Sequence, residues 1–187
     1  MHHFKRFAAA LALAGLSSLA QATTTPLSPS GQWVPFDVDD QTANSSGVEW
    51  IDLGDGSALS FSFTINAPTW LRVVDGGYAG DRFNVTINGA SFATSAVPAG
   101  SVGSTPSLGL NFDAAWANPA FSQGSWLLSA PGSYTVTGSL LQSVQFNGSA
   151  LNATVGAVML APVPEPGTWV LMLGGLGVLG LVLRRRA

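Results

Sequence analysis

Two aspartates on either side of a glycine-rich stretch form the clearest chemical pattern in this sequence. Asp75 and Asp81 flank Gly76-Gly77-Tyr78-Ala79-Gly80. A turn of this kind can bring two carboxylates and freed backbone carbonyls around one hard cation, and calcium takes about six to eight oxygen ligands. The segment therefore predicts a calcium site with Asp75 and Asp81 among its ligands.

Other acidic residues are further oxygen donors for such a site if the strand ends converge: Asp37, Asp39, Asp40, Asp52 and Asp55. The alternative interpretation is turn chemistry, because Asp and Gly favour tight bends whether or not a metal is present. In that alternative, the neighbouring Asp81 and Arg82 simply pair with their surroundings. The sequence is compatible with both interpretations.

The residues that nucleophilic catalysis requires are scarce in this chain. It contains no cysteine, and its two histidines, His2 and His3, lie with its single lysine, Lys5, at the extreme N-terminus. The remainder therefore has no Ser-His-Asp, Cys-His or Ser-Lys arrangement. A carboxylate pair for glycoside hydrolysis stays arithmetically open, but between residues 23 and 163 the one glutamate is Glu49. We expect that the protein is not an enzyme.

Tryptophans offer a second kind of chemistry, because aromatic faces stack on sugar rings. Five of them fall in the central part of the chain: Trp33, Trp50, Trp70, Trp116 and Trp126. Large aromatics are also ordinary core residues of a β-sandwich, and we expect Trp50 and Trp70 in the core. Trp116 stands among polar residues of a long loop, which makes it the best candidate for a glycan-binding side chain.

The charge balance excludes whole classes of partner. Only 9% of the 187 residues are charged, and residues 23–163 hold nine acids against Arg72 and Arg82, a net charge near −7. Such a surface repels nucleic acid and anionic headgroups. The absence of cysteine also excludes a disulfide framework and a thiolate zinc site.

Alternating residues indicate the elements that must position these side chains. Leu59–Ile65 places four apolar residues on one face and three hydroxyls on the other, as in a half-buried strand. Residues 83–87 and 134–140 alternate in the same way. Asn88-Gly89 and Asn147-Gly148 are hairpin signals, because both residue types tolerate a positive φ.

The remaining strand predictions are 70–74, 90–94, 144–146 and 154–160, with weaker ones at 34–38, 48–53 and 126–129. Residues 95–119, rich in Gly, Ser and Pro, predict a long surface loop with a helical turn near 113–116. Strands at this spacing indicate an all-β domain. We expect an antiparallel β-sandwich, jelly-roll-like, of about eight to ten strands over residues 23–161.

The N-terminus has the three parts of a secretory signal peptide. Lys5 and Arg6 precede an apolar run over 7–19, and Ala20-Gln21-Ala22 follows with small residues at the two positions that signal peptidase reads. We expect residues 1–22 to form a signal helix that is cut after Ala22. The histidines and the lysine are lost with it.

The C-terminus predicts a membrane anchor. Val163-Pro164-Glu165-Pro166-Gly167 interrupts regular structure, an uncharged stretch covers 168–183, and Arg184, Arg185 and Arg186 follow. As a helix, that stretch spans about 24 Å, a workable single transmembrane span because flanking arginines can snorkel. The arginines stop transfer and stay in the cytoplasm, so the domain lies on the opposite side of the membrane.

This C-terminal order closely resembles the PEP-CTERM protein-sorting domain: Pro164, Glu165 and Pro166, then a short apolar span, then the arginine cluster. The resemblance implies that residues 162–187 are a sorting and anchor segment. It also implies a Gram-negative bacterium that makes exopolysaccharide. The partner would be an exosortase, a membrane protease that reads the Pro-Glu-Pro motif. The alternative is a plain anchor with a chance Pro-Glu-Pro.

A shorter resemblance covers Asp75, Gly80-Asp81, Phe83 and Asn88-Gly89, a pattern similar to one in exported β-sandwich proteins with this tail. It implies a fold and no activity. We therefore expect an exported protein, first anchored in the inner membrane with its domain in the periplasm and then placed at the cell surface or in the matrix. The function expected is a non-catalytic structural or adhesive module of the exopolysaccharide layer. The alternatives are a calcium-dependent glycan-binding module and, more weakly, a carboxylate-based glycoside hydrolase.

Overall fold

The computed structural model describes residues 22–44, 47–52 and 54–163, together with the single positions 167, 172, 173 and 176. Nearly all of the regular structure between residues 22 and 163 is β-strand, which confirms the all-β prediction. The elements are β1 (Thr23–Pro26), β2 (Val34–Asp39), β3 (Leu59–Ile65), β4 (Thr69–Asp75), β5 (Gly77–Tyr78), β6 (Arg82–Ile87), β7 (Ala90–Ala93), β8 (Ser107–Gly109), α1 (Phe112–Trp116), β9 (Gln123–Leu128), β10 (Gly132–Gln142), β11 (Gln145–Phe146), β12 (Ser149–Ala150) and β13 (Ala153–Pro162).

Nine of these strands build two large sheets. One sheet has the order β1-β3-β10-β6-β7, and the other has the order β2-β13-β4-β9. Eight of the strands pair as a nested set, the first with the last and so inward: β2 with β13, β3 with β10, β4 with β9, and β6 with β7, all antiparallel. The sequence did not indicate the parallel pairing of β1 with β3, because a parallel neighbour leaves no short-turn signal.

The alternating pattern of β3 works as expected. Leu59, Phe61, Phe63 and Ile65 are buried, while the intervening hydroxyl residues face outward. There the Thr64 and Ser133 hydroxyls lie 3.1 Å apart across the β3–β10 pair. Apolar residues from both large sheets join one hydrophobic cluster, so the two sheets face each other across a common core.

Stacked aromatic rings fill the middle of that core. The Phe36 and Trp50 rings stack at a centroid distance of 3.9 Å, and Phe83 meets Phe36 edge-on at 5.0 Å. Two glycines make room for these rings. A Cβ at Gly138 would overlap the Trp50 ring, and one at Gly156 would overlap the Phe36 ring.

The segment around Trp50 differs from the strand predicted over 48–53. Its described residues, 48–52, make isolated bridges, from Glu49 to Ser139 and from Ile51 to Asp37 and Ala58. The physical reason is the fully buried Trp50, whose side chain enters the core. Its backbone passes from one sheet to the other and joins neither as a regular strand.

The two Asn-Gly hairpins form as predicted. Asn88 and Gly89 have φ values of 46° and 86°, and Asn147 and Gly148 have 52° and 81°. The long segment 95–119 contains the expected helical turn, α1, which Asn111 caps by accepting a hydrogen bond from the N–H of Ala114 at 3.2 Å. A second cluster around Phe112, Ala115 and Phe121 packs this segment against the domain.

The strand directions give the domain two unlike ends. At the acidic end, β2 and β4 finish at Asp39 and Asp75, and β6 begins beside Asp81. At the uncharged end lie the turns 66–68, 88–89 and 129–131, together with the end of β13 at Pro162. Residues 59–71, 83–93, 124–138 and 156–163, which build that half, contain no charged side chain.

The predicted terminal segments lie almost entirely outside the described residues. These include Ala20 of the cleavage site, the motif Pro164, Glu165 and Pro166, the cluster Arg184–Arg186, and most of the span 168–183. Within the part of the chain that the structure describes, no helix is long and apolar enough to cross a bilayer.

Candidate functional site

Asp75 and Asp81 meet inside the acidic end, as their spacing predicts. Asp75 is 0% exposed and Asp81 is 2% exposed. Asp75 Oδ2 accepts hydrogen bonds from the backbone N–H groups of Gly80 and Asp81, at 3.3 and 3.2 Å. Asp81 Oδ1 accepts the N–H of Val144 at 2.7 Å. Asp75 Oδ1 is buried and has no hydrogen-bond partner among the described residues.

Glycines allow the chain to turn so tightly between the two acids. Gly77 and Gly80 have φ values of 58° and 129°, which side chains with a Cβ rarely adopt. A Cβ on Gly80 would also collide with the backbone N of Gly100. The glycine-rich composition thus folds Asp81 back onto Asp75.

Burial changes the protonation of both carboxyl groups. Burial, and next the charge of Asp81, raises the pKa of Asp75 to about 9. Burial likewise raises the pKa of Asp81 to about 6, although the hydrogen bond from the Val144 N–H acts to lower that pKa. The two arginines of the domain face other groups. Arg82 donates to the Thr94 and Ser95 carbonyls, and Arg72 lies over the Trp116 ring at 5.1 Å.

A cavity of about 310 Å³ opens at the acidic end, and further acids lie on its wall. Asp81 lies on its wall together with Asp37 and Asp39. Asp37 Oδ2 is buried and has no hydrogen-bond partner within the described part of the chain. Burial, with smaller contributions from the charges of Asp39 and Asp52, raises the pKa of Asp37 to about 6. The strand ends therefore converge for Asp37 and Asp39.

Asp52 and Asp55 take the turn roles of the alternative interpretation, as does Asp39, whose Oδ1 accepts the Gln41 N–H at 2.9 Å. Asp52 Oδ1 accepts the N–H of Gly54 at 2.7 Å, and Asp55 Oδ1 accepts the N–H of Ser57 at 2.9 Å. Asp40 Oδ2 accepts from the Asn152 amide at 3.0 Å. The Asp52 and Asp55 contacts each fix a bend, whereas the Asp40 contact joins two distant segments; none of the three involves a second carboxylate.

The acidic end can therefore offer a cation two buried carboxylates, with other oxygens to complete the shell. Across the described ranges, no group of three or more acidic side chains is close enough to hold a metal ion. The missing ligands would have to come from backbone carbonyls, the Tyr78 or Thr154 hydroxyl, or water. Calcium at Asp75 and Asp81 stays a prediction.

Trp116 lies on α1 and is half-buried. Its ring meets the Trp33 ring at 5.6 Å, while the Arg72 guanidinium covers it. Trp33 Nε1 donates to Asp113 Oδ1 at 2.8 Å, which ties this aromatic pair to the helix. The glycan-binding role of Trp116 stays a prediction, with both neighbouring side chains already packed on the indole.

A groove of about 470 Å³ at the uncharged end was not singled out from the sequence. This aromatic groove lies along the edge strands β7 and β9, and its lining includes Trp70, Phe92, Trp126, Leu127 and Tyr134. Trp70 was expected in the core, but it is half-buried and lines the groove. The missing signal is strand order, because only the pairing shows that β7 and β9 are edges.

The C-terminal segment matches the family model of the PEP-CTERM protein-sorting motif over residues 162–186. The chain carries a PEP-CTERM protein-sorting motif. The matched range includes Pro164, Glu165, Pro166 and the cluster Arg184–Arg186. The motif begins at the last residue of β13, Pro162, so it follows the folded domain without a spacer.

Outside the sorting motif, comparison with known proteins does not identify a function. No curated protein sequence matches the chain. Among solved structures, it resembles the pre-peptidase C-terminal domain of collagenase from Bacillus anthracis at 7% identity and a TM-score of 0.37, over 76% of this chain and 96% of that one.

Proposed function

We propose that this is an exported protein that an exosortase sorts through its PEP-CTERM tail, and that its domain is a non-catalytic structural or adhesive module of the exopolysaccharide layer. The observation that carries the proposal is the junction at Pro162. There a sorting motif over residues 162–186 follows directly on the last strand of a folded domain.

The route follows from the two ends of the chain. Signal peptidase removes residues 1–22, the apolar stretch 168–183 holds the chain in the inner membrane of a Gram-negative cell, and Arg184–Arg186 stay in the cytoplasm. The domain then lies in the periplasm until the exosortase acts at Pro164, Glu165 and Pro166. From there the protein passes to the cell surface or extracellular matrix.

The domain suits a role outside the cell. The nested pairing of eight strands in two large sheets supports a sandwich with jelly-roll connectivity. Its core is held by packed aromatics and needs no disulfide, since the chain has no cysteine.

The acids of the domain support a non-catalytic role. Glycoside hydrolysis needs two carboxyl groups that flank a bound sugar. Asp75 and Asp81 are almost completely buried, and backbone N–H groups already occupy one oxygen of each. A hydrolase built on carboxylates is for this reason the weakest of the candidate functions.

The proposal is tested by expressing the chain with and without residues 164–187, in hosts with and without an exosortase. We expect surface or matrix retention only for the complete chain in the exosortase host, and release of the truncated domain. Retention of the truncated domain, or indifference to the exosortase, would contradict sorting through the tail. Hydrolysis of a polysaccharide by the domain, lost on replacing one acid, would contradict the non-catalytic role.

The second candidate is a calcium-dependent glycan-binding module that uses Asp75, Asp81 and Trp116. The observation that favours it is the buried, unpartnered Asp75 Oδ1 beside a second carboxylate. A cation would neutralise both groups. Glycan arrays probed with calcium and with chelator test this function, and blank arrays in both conditions would contradict it.

A further inference from the structure

The aromatic groove lies beside the point where the chain leaves the domain. Thr69 of β4 pairs with Leu128 of β9 on one side and with Pro162 of β13 on the other. Neighbouring strands are about 4.8 Å apart, so Leu128 in the groove lies about 10 Å from the last strand residue before the sorting motif. In the same register, Trp70 pairs with both Leu127 and Ala161.

The chain beyond this point is short before it becomes apolar. Residues 163–167 separate the end of β13 from the uncharged stretch 168–183. Five residues span at most about 17 Å when fully extended. If 168–183 crosses a bilayer, the uncharged end is held within that distance of the membrane surface.

We propose that the aromatic groove is a membrane-contact surface, which seats the uncharged end against the lipid interface while the C-terminal segment holds the chain. This inference rests on the anchoring step of the proposed function. The groove presents Phe92 and Leu127, which are 39% and 48% exposed, together with half-buried Trp70, Trp126 and Tyr134. Tryptophan and tyrosine favour the membrane–water interface, where an apolar ring meets a polar edge.

The charge distribution gives the same orientation. The four stretches that build the half of the domain around the groove have no charged side chain. Asp39, Asp75 and Asp81 lie at the opposite end. Anionic headgroups repel the acidic end and leave the uncharged end free to approach. Tethering then makes even a weak contact effective, because the surface is held at high local concentration.

The polar groups of the groove fit lipid better than sugar. Recognition of a sugar needs directional hydrogen bonds in addition to an apolar face. Asn88 Oδ1 already accepts the Thr135 N–H at 2.8 Å, and its amide nitrogen donates to the Ser133 carbonyl at 3.4 Å. The Tyr134 hydroxyl donates to the Ala130 carbonyl at 2.8 Å. Asn88 and Tyr134 are thus already hydrogen-bonded within the protein.

The absence of cysteine allows a clean test with single-cysteine probes. The exported chain, residues 23–187, is reconstituted in phosphatidylcholine–phosphatidylglycerol vesicles with a fluorophore at Ala90→Cys in the groove. A matched chain carries it at Gln41→Cys in the acidic end; both positions are exposed. We expect brominated lipids to quench the Ala90→Cys probe and aqueous iodide to quench mainly the Gln41→Cys probe.

A matched pair of substitutions shows whether the groove itself is responsible. Leu127→Asp should abolish lipid quenching at Ala90→Cys, whereas Leu141→Asp, at an equally apolar exposed side chain near the acidic end (53% exposed), should preserve it. Thermal melts check that both variants stay folded. Equal loss in both would mean a general charge effect and overturn the proposal.

Three other outcomes would overturn it in distinguishable ways. If the chain fails to float with the vesicles, it is not anchored in them, and the anchoring step of the proposed function is wrong as well. If the chain floats but its two probes respond equally to iodide, the anchor is confirmed and the proposed membrane contact of the groove is wrong. An Ala90→Cys probe that responds to a neutral polysaccharide without vesicles, and not to lipid, makes the groove a sugar site.

Discussion

The Asp75 carboxylate is folded onto the backbone of Asp81: its Oδ2 accepts the Asp81 N–H at 3.2 Å, while its Oδ1 has no partner in residues 22–44, 47–52 and 54–163. The turn between β4 and β6 thus places two acidic side chains side by side in the interior. Neither arginine of the domain neutralises them. A buried pair of this kind must take up a proton or a cation to be stable.

The first prediction follows from proton uptake by Asp75. Because the folded pKa is raised to about 9, the folded domain keeps a proton that the unfolded chain releases above about pH 4. The free energy of unfolding should therefore fall as the pH rises from about 4 to about 9, by an amount on the order of a few kcal/mol. Denaturant unfolding at pH 5 and pH 8, in chelator, measures this.

Asp75→Asn should remove most of that pH dependence, because the amide is neutral throughout. Asp55→Asn is the matched control at an exposed turn, and it should keep the wild-type slope. An unchanged slope in Asp75→Asn would show that another group carries the linkage. Asp37 and Asp81 contribute in the same direction only up to about pH 6.

The second prediction concerns calcium as the alternative to the proton. A ligand at about 100 times its dissociation constant stabilises the folded state by about 2.7 kcal/mol, so the midpoint of thermal unfolding should rise by several degrees in excess calcium. Asp75→Asn and Asp81→Asn should abolish the rise, and Asp55→Asn should keep it. Without a rise in the wild type, the two aspartates would be turn residues and the glycan-binding candidate would lose its metal.

Strands could be predicted from the sequence where one face of the strand is buried and the other is exposed to solvent. Leu59–Ile65 shows its period of two because its hydroxyls face water while Phe61 and Phe63 face the core. The alternating pattern around Trp50 wrongly predicted a strand, because the apolar residues there belong to a segment that crosses from one sheet to the other. Alternation cannot distinguish a strand from an irregular segment that inserts one large ring.

The site was predictable in its local part only. Asp75 and Asp81 are separated by a short glycine-rich turn, so their spacing in the sequence is enough to predict that they lie close together. Asp37 shares a cavity wall with Asp81 because β2 pairs with β13 at the same end, a contact between distant segments that depends on strand order. The aromatic groove depends on strand order too, because Phe92 and Trp126 meet only across the two sheets.

The third prediction tests the core. Gly138→Ala places a methyl group inside the Trp50 ring, so it should destabilise the domain by about 1–3 kcal/mol, as overpacked cores do. In a Trp50→Leu background, the same substitution should cost less because the ring is gone. Denaturant melts of the four proteins measure the difference. An equal cost in both backgrounds would mean that the strain comes from the backbone of β10.

The fourth prediction concerns the arginine cluster. Replacing Arg184, Arg185 and Arg186 with glutamine removes the charges that hold the C-terminus in the cytoplasm. The anchor should then lose its stop, and the protein should be mislocalised in cell fractionation. Arg82→Gln, which changes an arginine of the domain, is the control and should fractionate like the wild type. Unchanged fractionation of the triple variant would mean that the apolar stretch alone sets the orientation.

The last prediction concerns Glu165, the one charged residue between the domain and the arginine cluster. If the exosortase reads the Pro-Glu-Pro motif, Glu165→Ala should block processing of the tail and leave full-length protein in the membrane fraction of an exosortase host. Glu49→Ala changes the only glutamate of the domain and should be processed normally. Immunoblots against a tag within the domain distinguish the two forms by size. Normal processing of Glu165→Ala would assign the tail to plain anchoring, because the distinctive residue of the motif would then have no reader.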